Sequence, residues 1–185
     1  MTIHKEGKGI LMSVFAVMLL MDVFIYIFLN KECPILAKSL MGFGVLVFLF
    51  FVNFFRSPNR QFVGFEEGMF VAPADGKIVV IEPTVEDEFL NEKRIQVSIF
   101  MSVFNVHANW YPTHGKVVYY THNDGRFVAA NLPKSSTENE RATVVIETPS
   151  KTRILVRQIA GALARRIVTY AMEGHECKVN DHLRF

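Results

Sequence analysis

With 185 residues, half of them hydrophobic, and a net charge of +2, the chain is long enough for one domain plus an accessory segment. So small a charge excess gives no electrostatic instruction toward nucleic acid. Two cysteines, Cys33 and Cys177, lie far apart without ligand-like spacing; they exclude a disulfide scaffold and a zinc site, and they fit a reducing compartment.

The apolar residues are concentrated before residue 56. After a short, mildly basic start (His4, Lys5, Lys8), residues 10–29 form a nearly unbroken apolar run of membrane-spanning length, interrupted only by Asp22. It is too long for a secretory signal, and no small-residue cleavage site follows. Asn30-Lys-Glu-Cys-Pro34 predicts a turn, and a second apolar run covers residues 35–55, with Lys38 near its start where it can snorkel. Lys5 and Lys8 before the pair, and Arg56 and Arg60 after it, favour a helical hairpin in the inner (cytoplasmic) membrane with both ends cytoplasmic. Asp22 favours the competing arrangement, a pair lying in the interface, because a carboxylate in hydrocarbon costs about 2.5–3.5 kcal/mol. Residues 1–56 are therefore expected to form a membrane-associated hairpin and residues 57–185 a separate domain. At the junction, Arg56 is placed to meet headgroup phosphates, or simply to set topology as a positive flank.

From Phe70 onward the periodicity becomes strand-like. Strands are expected at residues 70–72, 77–81, 94–100, 116–120, 142–147 and 153–158, separated by turns at Asp75-Gly76, Pro83, Pro112 and Asn123-Asp-Gly125. Residues 159–166 suit a short helix or another strand, and residues 173–180 a turn followed by a short strand. The fold class is mainly β, an antiparallel sandwich or barrel-like domain behind an N-terminal hydrophobic helical hairpin. No nucleotide-binding glycine loop, helical metal-ligand pair or repeat array is present, and no metal centre is expected.

The chemistry is concentrated in Phe100-Met-Ser-Val-Phe-Asn-Val-His-Ala-Asn-Trp-Tyr-Pro112, where His107 stands between Asn105 and Asn109. Taken alone, a histidine among apolar residues is more often structural than catalytic. Asp75, in Val71-Ala-Pro-Ala-Asp-Gly-Lys-Ile78, is by itself a turn former. Ser135-Ser-Thr-Glu-Asn-Glu-Arg141 reads either as a solvated loop capped at Ser136 or Thr137, or as the mouth of a substrate site.

Taken in order, these motifs resemble the phosphatidylserine decarboxylase family in its short prokaryotic form. The resemblance rests on Phe55-Arg-Ser-Pro-Asn-Arg60, Pro73-Ala-Asp-Gly76, the segment from Met101 to Asn109, Ser136 to Arg141, and the block from Ile159 to Val168. It implies a proenzyme that cuts itself at a Gly-Ser bond commonly preceded by Arg-Phe or Lys-Phe. On that reading Arg184-Phe185 marks this chain as the β-chain, and the catalytic pyruvoyl group is carried by a small α-chain from the same precursor. The implied reaction turns phosphatidylserine into phosphatidylethanolamine and CO2, with the ketone as electron sink. Asp75 matches the maturation aspartate, and His107 is the general acid that protonates the carbon after CO2 leaves.

The chain departs from better-known members by carrying Trp110 where a second histidine falls. Either His107 serves both cleavage and decarboxylation, or another histidine, His114 being nearest, pairs with Asp75. Asn109, Asn139, Arg141 and Arg56 are the candidates for substrate or headgroup contact. A homo-oligomer is compatible with the sequence. The rival from another class is a non-catalytic, membrane-anchored barrel-sandwich adaptor. A decarboxylase for another seryl phospholipid, such as archaetidylserine with its ether-lipid backbone, has the same motifs.

Overall fold

The computed structural model describes residues 2–128, 138–162 and 164–184. Ser136, Thr137 and Phe185, singled out from the sequence, lie outside the described residues. The chain divides into two compact units, Met1–Asn59 and Arg60–Phe185.

In the first unit the two apolar runs form α1 (Lys5–Leu29) and α2 (Pro34–Phe54). His4 caps α1, its Nδ1 accepting the Glu6 N–H at 3.3 Å, and Pro34 opens α2 where its missing N–H costs nothing. The helices have mean hydropathies of 2.5 and 2.3 and are exposed almost throughout. At 1.5 Å per residue they are about 37 and about 31 Å long, enough to cross a hydrocarbon core of about 30 Å. Asp22 faces the partner helix: a Cβ built on Gly44 would lie 3.7 Å from its Oδ1. Two short strands, β1 (Thr2–Ile3) and β2 (Arg56–Ser57), pair antiparallel and bring both ends of the hairpin together. This pairing carries the unit past the junction expected at residue 56.

The second unit is built from antiparallel strands, so the molecule is mainly β behind an apolar helical hairpin, as the alternation indicated. A ribbon of β3 (Lys77–Glu86) and β4 (Glu92–Phe100) stands beside a four-stranded sheet. That sheet runs β8 (Arg153–Ile159), β7 (Arg141–Glu147), β6 (Gly115–Asn123), β9 (Glu176–Cys177). β5 (Asn109–Trp110) pairs with β10 (His182–Arg184). β7 is central and covered on both faces, which is why Ala142, Val144, Val145 and Ile146 are all fully buried. Val117, Tyr111, Ala171, Cys177 and Leu183 complete the main core around it.

Three expectations change. Residues 70–72 are not a strand; their backbone makes a single bond, Val71 N–H to Pro112 O at 2.8 Å, before Pro73 ends any ladder. β3 runs on through Pro83, tolerated because β3 has only one neighbour and its other edge needs no donor. Among the described residues of 160–166 there is neither helix nor strand, β8 having taken Ile159.

The ribbon's tip is fastened by a charge cluster. Glu86, only 8% exposed, accepts the N–H groups of Glu88, Phe89 and Leu90 at 3.0, 2.9 and 2.7 Å. Arg157 of β8 bridges Glu86 at 2.9 Å and Glu88 at 2.6 Å. Phe89 stacks on Tyr119 of β6 with ring centroids 4.5 Å apart. Burial alone would raise the Glu86 pKa, but the three N–H groups and Arg157 outweigh it and hold the carboxyl below its ordinary 4.5. Stabilisation by this carboxylate is therefore fully present above pH 4.5 and is lost as pH falls through the lower folded-state value. Glu86→Gln should cost about 2 kcal/mol at neutral pH, and the gap to the parent protein should close under acid; thermal melts across pH measure both.

Candidate active site

The site is built around β5. Trp110 donates its N–H to Pro73 O at 2.9 Å, and Tyr111 donates to Asp181 O at 3.0 Å, so the turn at residues 73–76 and the approach to β10 are both tied to this strand. Gly76 lies against the end of β4: a Cβ there would meet Phe100 O at 2.4 Å. Only glycine allows that approach, which fixes where Asp75 stands.

Asp75 and Arg60 form a two-pronged ion pair, with Nη2 at 2.6 Å from Oδ2 and Nη1 on Oδ1. The guanidinium is spread over the Trp110 ring, 5.3 Å from its centroid. On the neighbouring strand His182 faces Trp110, in register and with ring centroids 5.3 Å apart. Arg60, Phe62, Trp110, Tyr111, Val179 and Asn180 line a cavity of ≈ 340 Å³ beside the pair. A larger open groove of ≈ 650 Å³ includes Glu92, Arg94, Glu147, Lys151 and Arg153. Its charges neutralise one another, Glu147 bonding Lys151 at 2.8 Å and Arg153 at 3.1 Å. The smaller cavity is the one bordered by Arg60, Ala74 and Trp110, next to the Arg60–Asp75 pair.

His107 follows a tight turn. Asn105 Oδ1 accepts the Ser102 N–H at 2.8 Å, and the Asn105 N–H returns to Ser102 O at 2.9 Å. That is the physical use of Ser and Asn three residues apart in this motif. Val106 and Ala108 are buried on either side of the half-buried imidazole. Its Nδ1 lies 3.1 Å from Asn105 O, which can only accept, so the neutral ring carries its proton on Nδ1 and its lone pair on Nε2. His114 has the opposite tautomer. Its Nδ1 accepts the Val179 N–H at 3.1 Å, so the neutral ring is protonated at Nε2, and it packs edge-on against Phe65.

Asn109 is 5% exposed, and its Oδ1 is buried without a hydrogen-bond partner among the described residues. An uncommitted acceptor beside β10 suits an incoming donor that this chain does not supply. The Cys177 thiol is pushed up to about 12, first by burial and then by Glu176 and Asp181, and it donates to Gly115 O at 3.3 Å. At neutral pH it is not a nucleophile.

The other sequence candidates lie on different elements. Asn139 is fully buried and spends its amide on backbone, accepting from Val128 N–H at 2.9 Å and donating to Val128 O and Ala160 O, each at 2.7 Å. Arg141 opens β7 opposite Asn123 and Ile159. Arg56 belongs to the first unit, where it donates to Asn53 O at 2.7 Å at the end of α2. The partner of Asp75 had no local signal in the sequence: Arg60 lies fifteen residues upstream, at a spacing that belongs to no regular element.

An acid, an imidazole and an uncommitted amide thus stand on short segments of a β-rich unit that follows an apolar hairpin in the chain. A family model for phosphatidylserine decarboxylase matches residues 47–185. Among curated proteins, the phosphatidylserine decarboxylase proenzyme of Parabacteroides distasonis is 50% identical over 185 residues, covering 100% of this chain and 83% of that protein. The Bacteroides fragilis proenzyme is 51% identical over 99% of this chain and 79% of its own length. That of Amoebophilus asiaticus is 39% identical over 99% and 80%. The chain belongs to the phosphatidylserine decarboxylase family.

Gly76→Ala should destabilise the β-rich unit by about 1–3 kcal/mol, since the added methyl must displace backbone rather than a flexible side chain. A drop in thermal midpoint in detergent, with the hairpin helices unaffected by circular dichroism, is the expected record.

Proposed function

We propose that this chain is the larger, β-chain of a pyruvoyl-dependent enzyme that converts phosphatidylserine to phosphatidylethanolamine and CO2. The observation that carries the proposal is an imidazole oriented by Asn105 O, that of His107, followed two residues on by a buried and uncommitted acceptor, Asn109 Oδ1. The relatives that this chain matches are named as proenzymes, and 83% and 79% of their lengths are covered by it. A companion segment from the same precursor supplies the remainder, and its pyruvoyl ketone provides the electron sink that amino-acid decarboxylation requires.

The residues of this chain do the rest. Asn109 and His107 hold the pyruvoyl end of the companion, the amide oxygen accepting from a donor there. His107 Nε2, protonated at the start of the step, gives its proton to the carbon that has lost CO2, and the ring regains one from solvent. In maturation the same nitrogen takes the proton of the attacking serine hydroxyl, while Asp75, oriented by Arg60, steadies the charge. The hydrogen bonds favour His107 over His114 for this work, because the unprotonated nitrogen of His114, Nδ1, is occupied by the Val179 N–H and would have to release it before it could serve as a base. Arg56 and Arg141 remain the candidates for phosphate contact; the amide of Asn139 is engaged elsewhere. The hairpin spans the cytoplasmic membrane with both ends cytoplasmic, a topology that the β1–β2 pairing of its two ends supports.

His107→Ala in an already cleaved enzyme should lower decarboxylation by about 10²–10⁴-fold, the ordinary contribution of a general acid. Near-full turnover by that variant would remove His107 from the mechanism. Asp75→Ala should leave an uncut precursor on a denaturing gel; efficient cleavage would reduce Asp75 to a turn residue. Intact mass of the purified gene product, with and without hydrazine, tests the whole reading. Two chains, the smaller shifted by the carbonyl reagent, are expected; a single unreactive chain would refute it.

A further inference from the structure

The β3–β4 ribbon is amphipathic, and its apolar side faces outward. Ile81 lies opposite Val97, and Pro83 opposite Ile95, with Val85 next along the same face opposite Lys93. Ile81, Val85, Ile95 and Val97 are 66%, 60%, 74% and 52% exposed. The alternate positions are Val80–Ser98 and the polar pairs Glu82–Gln96, Thr84–Arg94 and Glu86–Glu92, and this is the face from which Glu86 reaches Arg157 of β8. Water would select the reverse arrangement. A period-2 pattern with its apolar set outward marks a surface completed by something else.

The backbone points the same way. β3 and β4 make a sheet of two, and neither outer edge is paired with another named strand. A two-stranded ribbon is marginal in water unless a further strand or a packed layer joins it. This ribbon is nevertheless held at both ends. Its tip is fastened by Glu86, Arg157 and the Phe89–Tyr119 stack, and its base is closed where Gly76 meets Phe100 O. It is a preformed template with an open middle.

The position of the base identifies the occupant. β3 begins directly after Asp75 and Gly76, and β4 runs out at Phe100 into the turn that carries His107. A strand laid on the ribbon therefore has one end at the ribbon's base, where the chain arrives from Asp75 and leaves toward His107. The relatives have a share of their length with no counterpart in this chain, which covers 83% and 79% of them. We infer that the apolar face and free edge of the β3–β4 ribbon are the docking surface for the pyruvoyl-bearing companion chain, which adds at least one β-strand there. The inference rests on the function proposed above and assigns that companion its seat.

The test uses the full precursor, purified in detergent through a tag on the larger chain. Ile81→Lys with Ile95→Lys puts charge on the apolar face at side chains that pack on little of this chain itself; Gln96→Lys is the control on the polar face. The double variant should retain at least 10-fold less of the smaller chain after washing than the parent or the control. Undiminished retention would overturn the inference. A benzophenone residue at position 95 of the otherwise unaltered precursor provides an independent reading that survives a folding or cleavage defect in the lysine variant. Light should join the larger chain to the smaller one. Cross-links to a second large chain would make the face a self-contact, cross-links to lipid alone a membrane contact, and either would overturn the assignment. Failure of the underlying function is separately visible, because the parent protein would then yield no second chain and no hydrazine-sensitive carbonyl.

Discussion

The four residues 109–112 are buried in succession, and their backbone is bonded to chain far away in sequence: Trp110 to Pro73, Tyr111 to Asp181, Pro112 to Val71. Buried peptide groups must find partners, so a short segment that packs in the interior obliges other segments to come to it. Here that obligation draws the turn bearing Asp75, the approach to β10 and the strand after His107 into one place. Loss of this junction would scatter these segments even with every side chain of the candidate site intact. The hydrogen bonds are individually modest, but each fixes a segment that lacks a ladder of its own.

Electrostatics in the β-rich unit are largely local. Glu86 and Glu88 are committed to Arg157, and Glu147 to Lys151 and Arg153. The pair that differs is Arg60–Asp75, which sits against an aromatic ring and beside a cavity rather than at a strand end. Arginine suits that place because its planar fork both grips a carboxylate and lies flat on indole. In the same pair a turn-forming aspartate is held at both ends: its backbone is fixed by Gly76 and its side chain by a residue from the preceding loop.

Alternation told correctly that the domain is made of short antiparallel strands, because side chains on a pleated backbone alternate whatever they pack against. It could not tell which face is inside. The ribbon is the plainest case, its period legible and its orientation decided by Glu86 reaching Arg157, seventy-one residues away. His107 and Asp75 were singled out through ordered motifs, and the structure supplies reasons for the flanking Ser102, Asn105 and Gly76. Asn139 looked like a surface amide among charges. Its burial depends on carbonyls of Val128 and Ala160 that no local pattern announces. The pairing of Arg60 with Asp75 and the idle oxygen of Asn109 were invisible for the same reason: both are facts about what is near in space.

The clasp between β1 and β2 has a consequence for how the hairpin behaves as an object. Thr2 and Ile3 pair with Ser57 and Arg56, so the chain enters and leaves the helical pair at a single point, like the two wires of a plug. Were the pair to insert into a bilayer, only the link between the helices would have to travel to the far side. That link is Asn30, Lys31, Glu32 and Cys33, in which one cation and one anion stand side by side. Nothing bulky and no net charge would cross, and the clasped ends would stay together throughout. Such an anchor can be pushed in as a unit and needs no machinery to thread a folded domain through lipid.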